Sequence, residues 1–441
     1  MQNQEQAKFG WVENFALFAT CSLALSVSLG VAMVSISCLL VVLAALFLFI
    51  KGQTRELLSV RGLNSLGNPV SSDELSSVKR QFNQSASASD LWTPWAIGAG
   101  LLWIAISIFW SISSWSQIGA ELVRSARILV IPLVLYNIRS EEQVLKVIGV
   151  WVWGQIFVIL SSYWLWLGLS APWALSEEAV NHFTPYTTSL DQPIMSAVTF
   201  GVIWFFKEHF AKVWGKWGGL LVYAVLALFL VNVCFLMIGR SGMLSMILVL
   251  TVIGWWTLKP KFRKFAVFIP FIIFGMLYFA SPKFQDRISK IPAEVTEYKK
   301  GRIETAQAYR LEFWSRSVQA ITQKPLLGYG VGSWPQAYVI ALNGEEGIQA
   351  DSPHQQFLLW WVEEGSVGFI LLIAIYVSIL LDAYKLESRA KYALISTFNV
   401  LFFTSLMNCP LQGAGISEFF CLIIGAMMVL KPIKKINPSI N

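Results

Sequence analysis

His354 is one of three histidines in this chain, and it stands three residues before a strongly apolar run that begins at Phe357. An imidazole there sits at the water side of a bilayer, at the mouth of whatever the helices enclose. With an ordinary pKa near 6.5 it is suited to take a proton at neutral pH. The other reading is an interfacial histidine that caps a helix end. Arginines supply a second kind of chemistry, because the guanidinium fork matches phosphate oxygens two at a time. Arg240 lies in the sequence IGRSG between two apolar runs, and Arg302, Arg310 and Arg316 share one polar segment. Arg240 has few charged neighbours in sequence. Arg302 and Arg316 have Glu304 and Glu312 close by and equally suit a solvated face.

Further ionisable groups fall inside or beside apolar stretches. Glu121, Arg124 and Arg127 follow one another at intervals of three, on one helical face, and fit a structural ion pair as well as a substrate contact. Glu363 and Glu364 are placed to orient neighbouring groups, with at least one expected at a rim in water. Asp191 and Gln192 start an apolar run, where they suit an acceptor contact or, more simply, a helix cap. Other familiar chemistries are missing. The sequence contains no GxxxxGK[ST] phosphate loop, no HExxH, no outer Asp-x-Asp pair and no Cys/His cluster, so neither nucleotide hydrolysis nor a bound metal is expected. The five cysteines lie in or beside apolar segments without paired spacing and read as small buried residues.

The elements that must position these groups are membrane helices. Of 441 residues, 56% are hydrophobic and 13% charged, about half the charge of an ordinary soluble domain. Spans of the length a bilayer needs are expected at 14–50, divided by Gly30 into a hairpin of two, then at 93–110, 118–136, 144–167, 193–206, 217–238, 241–258 and 265–280. Three more follow at 357–381, 392–407 and 413–430. The fold class is thus all-α integral membrane, with about twelve spans and one long outer insertion. Three regions result: 1–280 with the first nine spans and a polar loop near 51–90, the insertion 281–356, and 357–441 with the last three spans and a tail. The N-terminal apolar run is far longer than a signal-peptide core and reads as retained. Lysines and arginines gather at 51–80, 139–146, 207–216, 259–264, 385–391 and 431–435 and are nearly absent from the alternate short loops. By the positive-inside rule both termini and these loops are cytoplasmic, which accounts for the net charge of +7 without a nucleic-acid partner.

Arg240 and the basic insertion are the outward exceptions to that rule. Within the insertion, residues 305–322 repeat apolar or aromatic side chains at Tyr309, Phe313, Trp314, Val318 and Ile321, the spacing of an amphipathic helix. Lys324 and Pro325 end it. The following LLGYGVGSW is a glycine-punctuated turn in which the chain can approach a ligand or another segment closely. What remains fits a metal-free transfer from a phosphate-bearing donor.

The order of GRSG, then Arg310 and Trp314 followed by PLLGYGVGSW, then SPHQQFLLWWVEEGSVG resembles the O-antigen ligase and polymerase superfamily of bacterial inner-membrane glycosyltransferases. The motifs cover roughly 239–368. The resemblance implies an undecaprenyl-diphosphate-linked glycan donor, transfer at the periplasmic face of the inner membrane, no metal or other cofactor, a loop histidine at His354 and diphosphate-binding arginines at Arg240 and Arg310. Arg302, Arg316, Arg124, Arg127 and Glu364 are further candidates for the site. One departure from the family is Pro353 before the histidine and Gln355 after it, where a small polar residue or Asn is more usual. Three acceptors compete: lipid A core (a ligase of lipopolysaccharide biosynthesis), the growing glycan (a polymerase) and a protein hydroxyl (an O-oligosaccharyltransferase). The ligase is favoured by the moderate insertion and the lack of a soluble domain after the last span. A transporter or flippase of lipid or polysaccharide is the rival of a different class. Internal repeats, which such carriers usually show, are not evident, although Glu121, Arg124 and Arg127 keep it open.

Overall fold

A computed structural model describes residues 2–65, 90–174, 176–237, 239–348 and 350–430. It shows an all-α membrane protein with no strand among the described residues. Eight helices there are long and apolar enough to cross a membrane by length and composition. All the expected spans are helical, but four differ from a plain crossing. The 118–136 stretch is divided into helices Trp115–Ala126 and Val130–Asn137 by a 3-10 turn, Arg127–Leu129. Asp191–Phe205 and Ile416–Val429 are short, and Ser388–Ser405 carries charged residues in its first turn.

The chain opens with the hairpin expected from Gly30, whose φ of 135° suits glycine alone among the residues there. Helix Val31–Ser65 then runs on through the first part of the region read as a polar loop. The residues after Lys51 include Gln, Arg, Glu and Leu, good helix formers that extend a helix already nucleated by its apolar part. Lys51 itself is buried and reaches Glu13 at 2.7 Å. The remainder of that loop, 66–89, and the tail from 431 lie outside the described residues.

Buried polar pairs fix the helices against one another. Asp382 accepts hydrogen bonds from the backbone N–H groups of Trp92 and Thr93 at 3.1 and 2.8 Å and from the Thr93 hydroxyl at 2.8 Å, capping helix Thr93–Ser107 from across the bundle. The Gln155 amide donates to Ser28 at 2.8 Å, and the Asn232 amide to Ser162 at 2.9 Å. Helix Ile416–Val429 is buried on nearly every face, which explains why so short a segment is so apolar. Outward-facing side chains such as Ile36, Leu39 and Phe271 stay exposed and form the surface a lipid would cover.

Among its described residues the insertion holds four helices, Pro282–Ser289, Ile291–Lys299, Ala306–Gln323 and Trp334–Leu342. The third matches the expected 305–322 segment, and Thr305 caps it by accepting from the Ala308 N–H at 3.2 Å. Phe313, Tyr329, Trp334 and Tyr338 build a small second core on Leu359 and Val362 of helix Gln356–Ala383. That helix is kinked at Gly365, where φ is 65° and ψ is −167°. The kink leaves the Val362 and Glu363 carbonyls without their usual helical donors. The glycine turn supplies replacements: Tyr329 N–H donates to Val362 at 2.9 Å and Gly330 N–H to Glu363 at 2.7 Å. A side chain at 330 would put its Cβ 2.3 Å from the Ser111 Cα, so the close approach requires glycine. The partner of the turn is another segment of the chain.

Candidate functional site

At the insertion end of the bundle, His354 occupies a left-handed backbone conformation with φ 51°, which is uncommon for a residue with a side chain. Its neighbours hold it there. On one side, the Trp314 indole N–H donates to the Pro353 carbonyl at 3.1 Å. On the other, the Gln355 side chain accepts from Leu358 N–H and so caps helix Gln356–Ala383, while Gln356 N–H donates to the Asn408 carbonyl at 3.1 Å. The strained loop is thereby clamped between the insertion and the 408–412 turn.

Asn408 also faces the imidazole, with its Oδ1 3.4 Å from His354 Nδ1. That oxygen accepts the Cys409 backbone N–H at 2.9 Å, which identifies it as the acceptor end of the amide. Nδ1 must therefore donate, and the lone pair of the neutral ring lies on Nε2. His354 is accessible to solvent, yet enough protein surrounds its ring to hold its pKa below the ordinary value. Partial burial is the largest cause. The hydrogen bond to Asn408 opposes it, and the charge of Arg310 adds to it.

Arg310 comes from helix Ala306–Gln323, and no carboxylate pairs with it among the described residues. Burial, and after it the positive field of Arg240, disfavours its charged form. Arg240 begins helix Arg240–Thr257, whose first N–H groups have no side-chain cap among the described residues. The glycines of GRSG bring this helix end hard against residues 189–193: a Cβ at 242 would meet Pro193 at 2.1 Å, and one at 239 would meet the Ser189 carbonyl at 2.9 Å. The Arg240 guanidinium has one carboxylate near it, Glu294 at 3.7 Å. The second oxygen of Glu294 is buried without a partner among the described residues. Arg310 lies near enough to His354, and Arg240 to Arg310, for each arginine's charge to disfavour the protonated form of its neighbour.

The other candidates have structural partners. Arg302 pairs with Glu297 at 3.0 Å, and Arg316 ties Glu312 at 2.7 Å to Glu345 and the Ala341 carbonyl, joining two helices of the insertion. Arg124 pairs with Glu121 at 3.3 Å. Arg127 lies 3.2 Å from Glu418 and donates to the Gln412 carbonyl, while the Gln412 amide donates to Glu121. These bonds brace the 408–412 turn that presents Asn408. Glu363 and Glu364 are both buried, contrary to the expectation of a wet rim. The kink places them against the ends of neighbouring elements, where Glu363 accepts from Trp334 N–H at 3.0 Å and Glu364 from the Ser107 hydroxyl at 3.0 Å.

The sequence reading missed Asn408 and Glu294. A polar amide opening the short turn between two apolar helices was the available signal for Asn408. Glu294 is one acid among several in the insertion, and nothing local distinguishes it.

Residues 224–373 match the model of a family described as O-antigen ligase. This segment is similar to that family, and the match covers about a third of the chain. It contains Arg240, Arg310 and His354, and the motif order read above falls inside it. An uncharacterized protein of Haemophilus influenzae is 26% identical over 122 residues, 25% of this chain and 31% of that protein. The chain therefore matches about a third of the length of this curated relative. The eight long apolar helices beside this match fit a multi-pass membrane protein.

Proposed function

We propose that this O-antigen ligase-like protein moves a glycan from undecaprenyl diphosphate to lipid A core at the periplasmic face of the inner membrane, with both termini cytoplasmic. The observation that supports this reading is the cluster itself: a histidine with its Nε2 lone pair free, beside one arginine that lacks a carboxylate partner among the described residues and a second at a helix N-terminus. The donor's tail lies among the helices and its diphosphate meets Arg240 and Arg310, where guanidinium forks and free N–H groups favour negative charge. The acceptor hydroxyl oxygen attacks the anomeric carbon as the bond from that carbon to the diphosphate oxygen breaks. Its proton goes to His354 Nε2, and undecaprenyl diphosphate leaves. Attack opposite the leaving group inverts the anomeric centre. Neutral His354 is the form this step needs, and the lowered pKa preserves it. The bonds of Arg124, Arg127, Arg302, Arg316 and Glu364 hold the frame around this centre.

The test is transfer by purified protein in detergent with EDTA present, using the lipid-linked glycan as donor, lipid A core as acceptor, and His354→Ala in parallel. Product from the wild type that vanishes in the variant supports the proposal. Lengthening of the donor glycan instead identifies a polymerase, and product on a protein hydroxyl identifies an O-oligosaccharyltransferase. Absence of chemistry with every acceptor overturns the enzyme reading in favour of a carrier. Arg240→Lys keeps the charge and loses the fork. Near-full activity in that variant argues against two-point contact with the diphosphate.

A further inference from the structure

A cavity of about 260 Å³ lies beside this centre, between the 176–191 segment, the Gly30 hairpin turn and residues 414–416. Its position relates it to both halves of the cluster. Ser189 and Leu190 touch the start of the Arg240 helix, with the Ser241 hydroxyl 3.5 Å from the Leu190 carbonyl. Ala414 and Gly415 continue the braced turn that carries Asn408. The volume equals roughly nine waters, room for one sugar ring.

The walls mix apolar groups with buried polar ones and are unlike those of a phosphate site. Thr184 is 1% exposed, yet its hydroxyl has no hydrogen-bond partner among the described residues, and the Thr187 hydroxyl is buried in the same condition. Such groups normally find partners, because a buried unsatisfied hydroxyl costs the fold. Asp191 and His182 line the same space, the latter with Nδ1 3.6 Å from Glu178. No lysine or arginine among the described residues lines the cavity, which disfavours an anion. Tyr186 gives it an aromatic wall, and Val27, Met195 and Ile416 give it apolar ones. A neutral ring bearing several hydroxyls meets all of these at once: it donates to a carboxylate, bonds the orphaned threonines and lays C–H groups on an aromatic face.

We infer that this cavity is a sugar subsite, holding one neutral ring of a glycan substrate next to the reacting centre. The inference rests on the glycan transfer proposed above. The ring belongs either to the donor glycan or to the acceptor core, and kinetics separate the two.

The test uses the full chain in detergent, with Thr184→Val and Thr187→Val combined, and Ala414→Phe separately to fill the space. Initial rates are measured with the undecaprenyl-diphosphate glycan varied at saturating lipid A core, then the reverse, alongside the unfolding temperature of each protein. The threonine variant removes two hydroxyls that have no hydrogen-bond partner among the described residues, so its unfolding temperature should hold or rise. Its KM for one substrate should rise about tenfold with kcat nearly unchanged. A rise confined to the donor assigns the ring to the donor, and one confined to the core assigns it to the acceptor. Unchanged KM values for both substrates in both variants overturn the inference while glycan transfer stands. A wild type that transfers nothing overturns the transfer reading, and the subsite falls with it.

Discussion

Replacing Glu294 by Gln tests whether the cluster is held closed against its substrate. In the structure Glu294 is the one carboxylate at the Arg240 guanidinium among the described residues, 3.7 Å away, with the two side chains 19% and 24% exposed. At an effective dielectric of about 20, two unit charges at that distance attract by roughly 4 kcal/mol. Desolvation and side-chain ordering remove most of this, leaving on the order of 1 kcal/mol net for a part-exposed pair. On the proposed reading, a diphosphate must displace this carboxylate, so its affinity is reduced by that net amount. Glu294→Gln keeps the shape and removes the charge. The donor should then bind about fivefold more tightly, since 1.4 kcal/mol is a factor of ten. The assay is donor KM and direct donor binding in detergent for wild type, Glu294→Gln, Arg240→Lys and the double variant. If Glu294 acts through Arg240, the gain shrinks once Arg240 is changed. Donor affinity that stays constant or weakens in a folded Glu294→Gln protein would refute the reasoning and make Glu294 a structural or substrate-binding group.

Three other outcomes follow from the same geometry. A base works in its neutral form, and the folded protein lowers the pKa of His354 below the ordinary 6.5. The rate of transfer should therefore persist down to pH 6.5 and fall only below it, whereas a half-maximum above 6.5 would contradict the assignment. Asn408→Asp places a carboxylate at Nδ1, which favours imidazolium and should move that acid limb upward by about one pH unit; the pH profile of kcat checks the shift. Gly330→Ala forces a Cβ against the Ser111 backbone at 2.3 Å with φ at 88°, while Gly332→Ala meets Gln117 backbone only at 3.1 Å. Gly330→Ala should cost roughly 3 kcal/mol or more, seen as lost folded yield, and Gly332→Ala distinctly less.

What the sequence made legible was whatever depends on near neighbours. Gly30 dividing the first apolar run, and the helix of the insertion starting after Thr305, follow from length, periodicity and caps. The polar loop placed at 51–90 failed in its first part because helix propensity outlasts hydrophobicity, and helix Val31–Ser65 continues past Lys51. For Arg124 and Arg127 the residues alone left ion pair and substrate contact open. The partners of Arg127 prove to be Gln412 and Glu418, nearly three hundred positions away. Asn408 stands 54 residues from the histidine it faces, and the burial of Glu363 and Glu364 depends on a kink completed by a distant turn. No local pattern encodes such pairings. The glycines of that turn announced a close approach, and only the fold says to what.

The joint between the glycine turn and the kinked helix is made from N–H and C=O groups, with glycines where the two strands of chain come nearest. Amides are identical whatever residue bears them, so this register depends on side chains only through the glycines, the small core beneath it and the flanking bonds of Ser107, Trp110, Ser111 and Glu363. The outer surface of the insertion can consequently be rewritten, to suit a different glycan or acceptor, without loosening its hold on the membrane helix. The fold separates what must stay fixed, a register of main-chain bonds, from what is free to diversify.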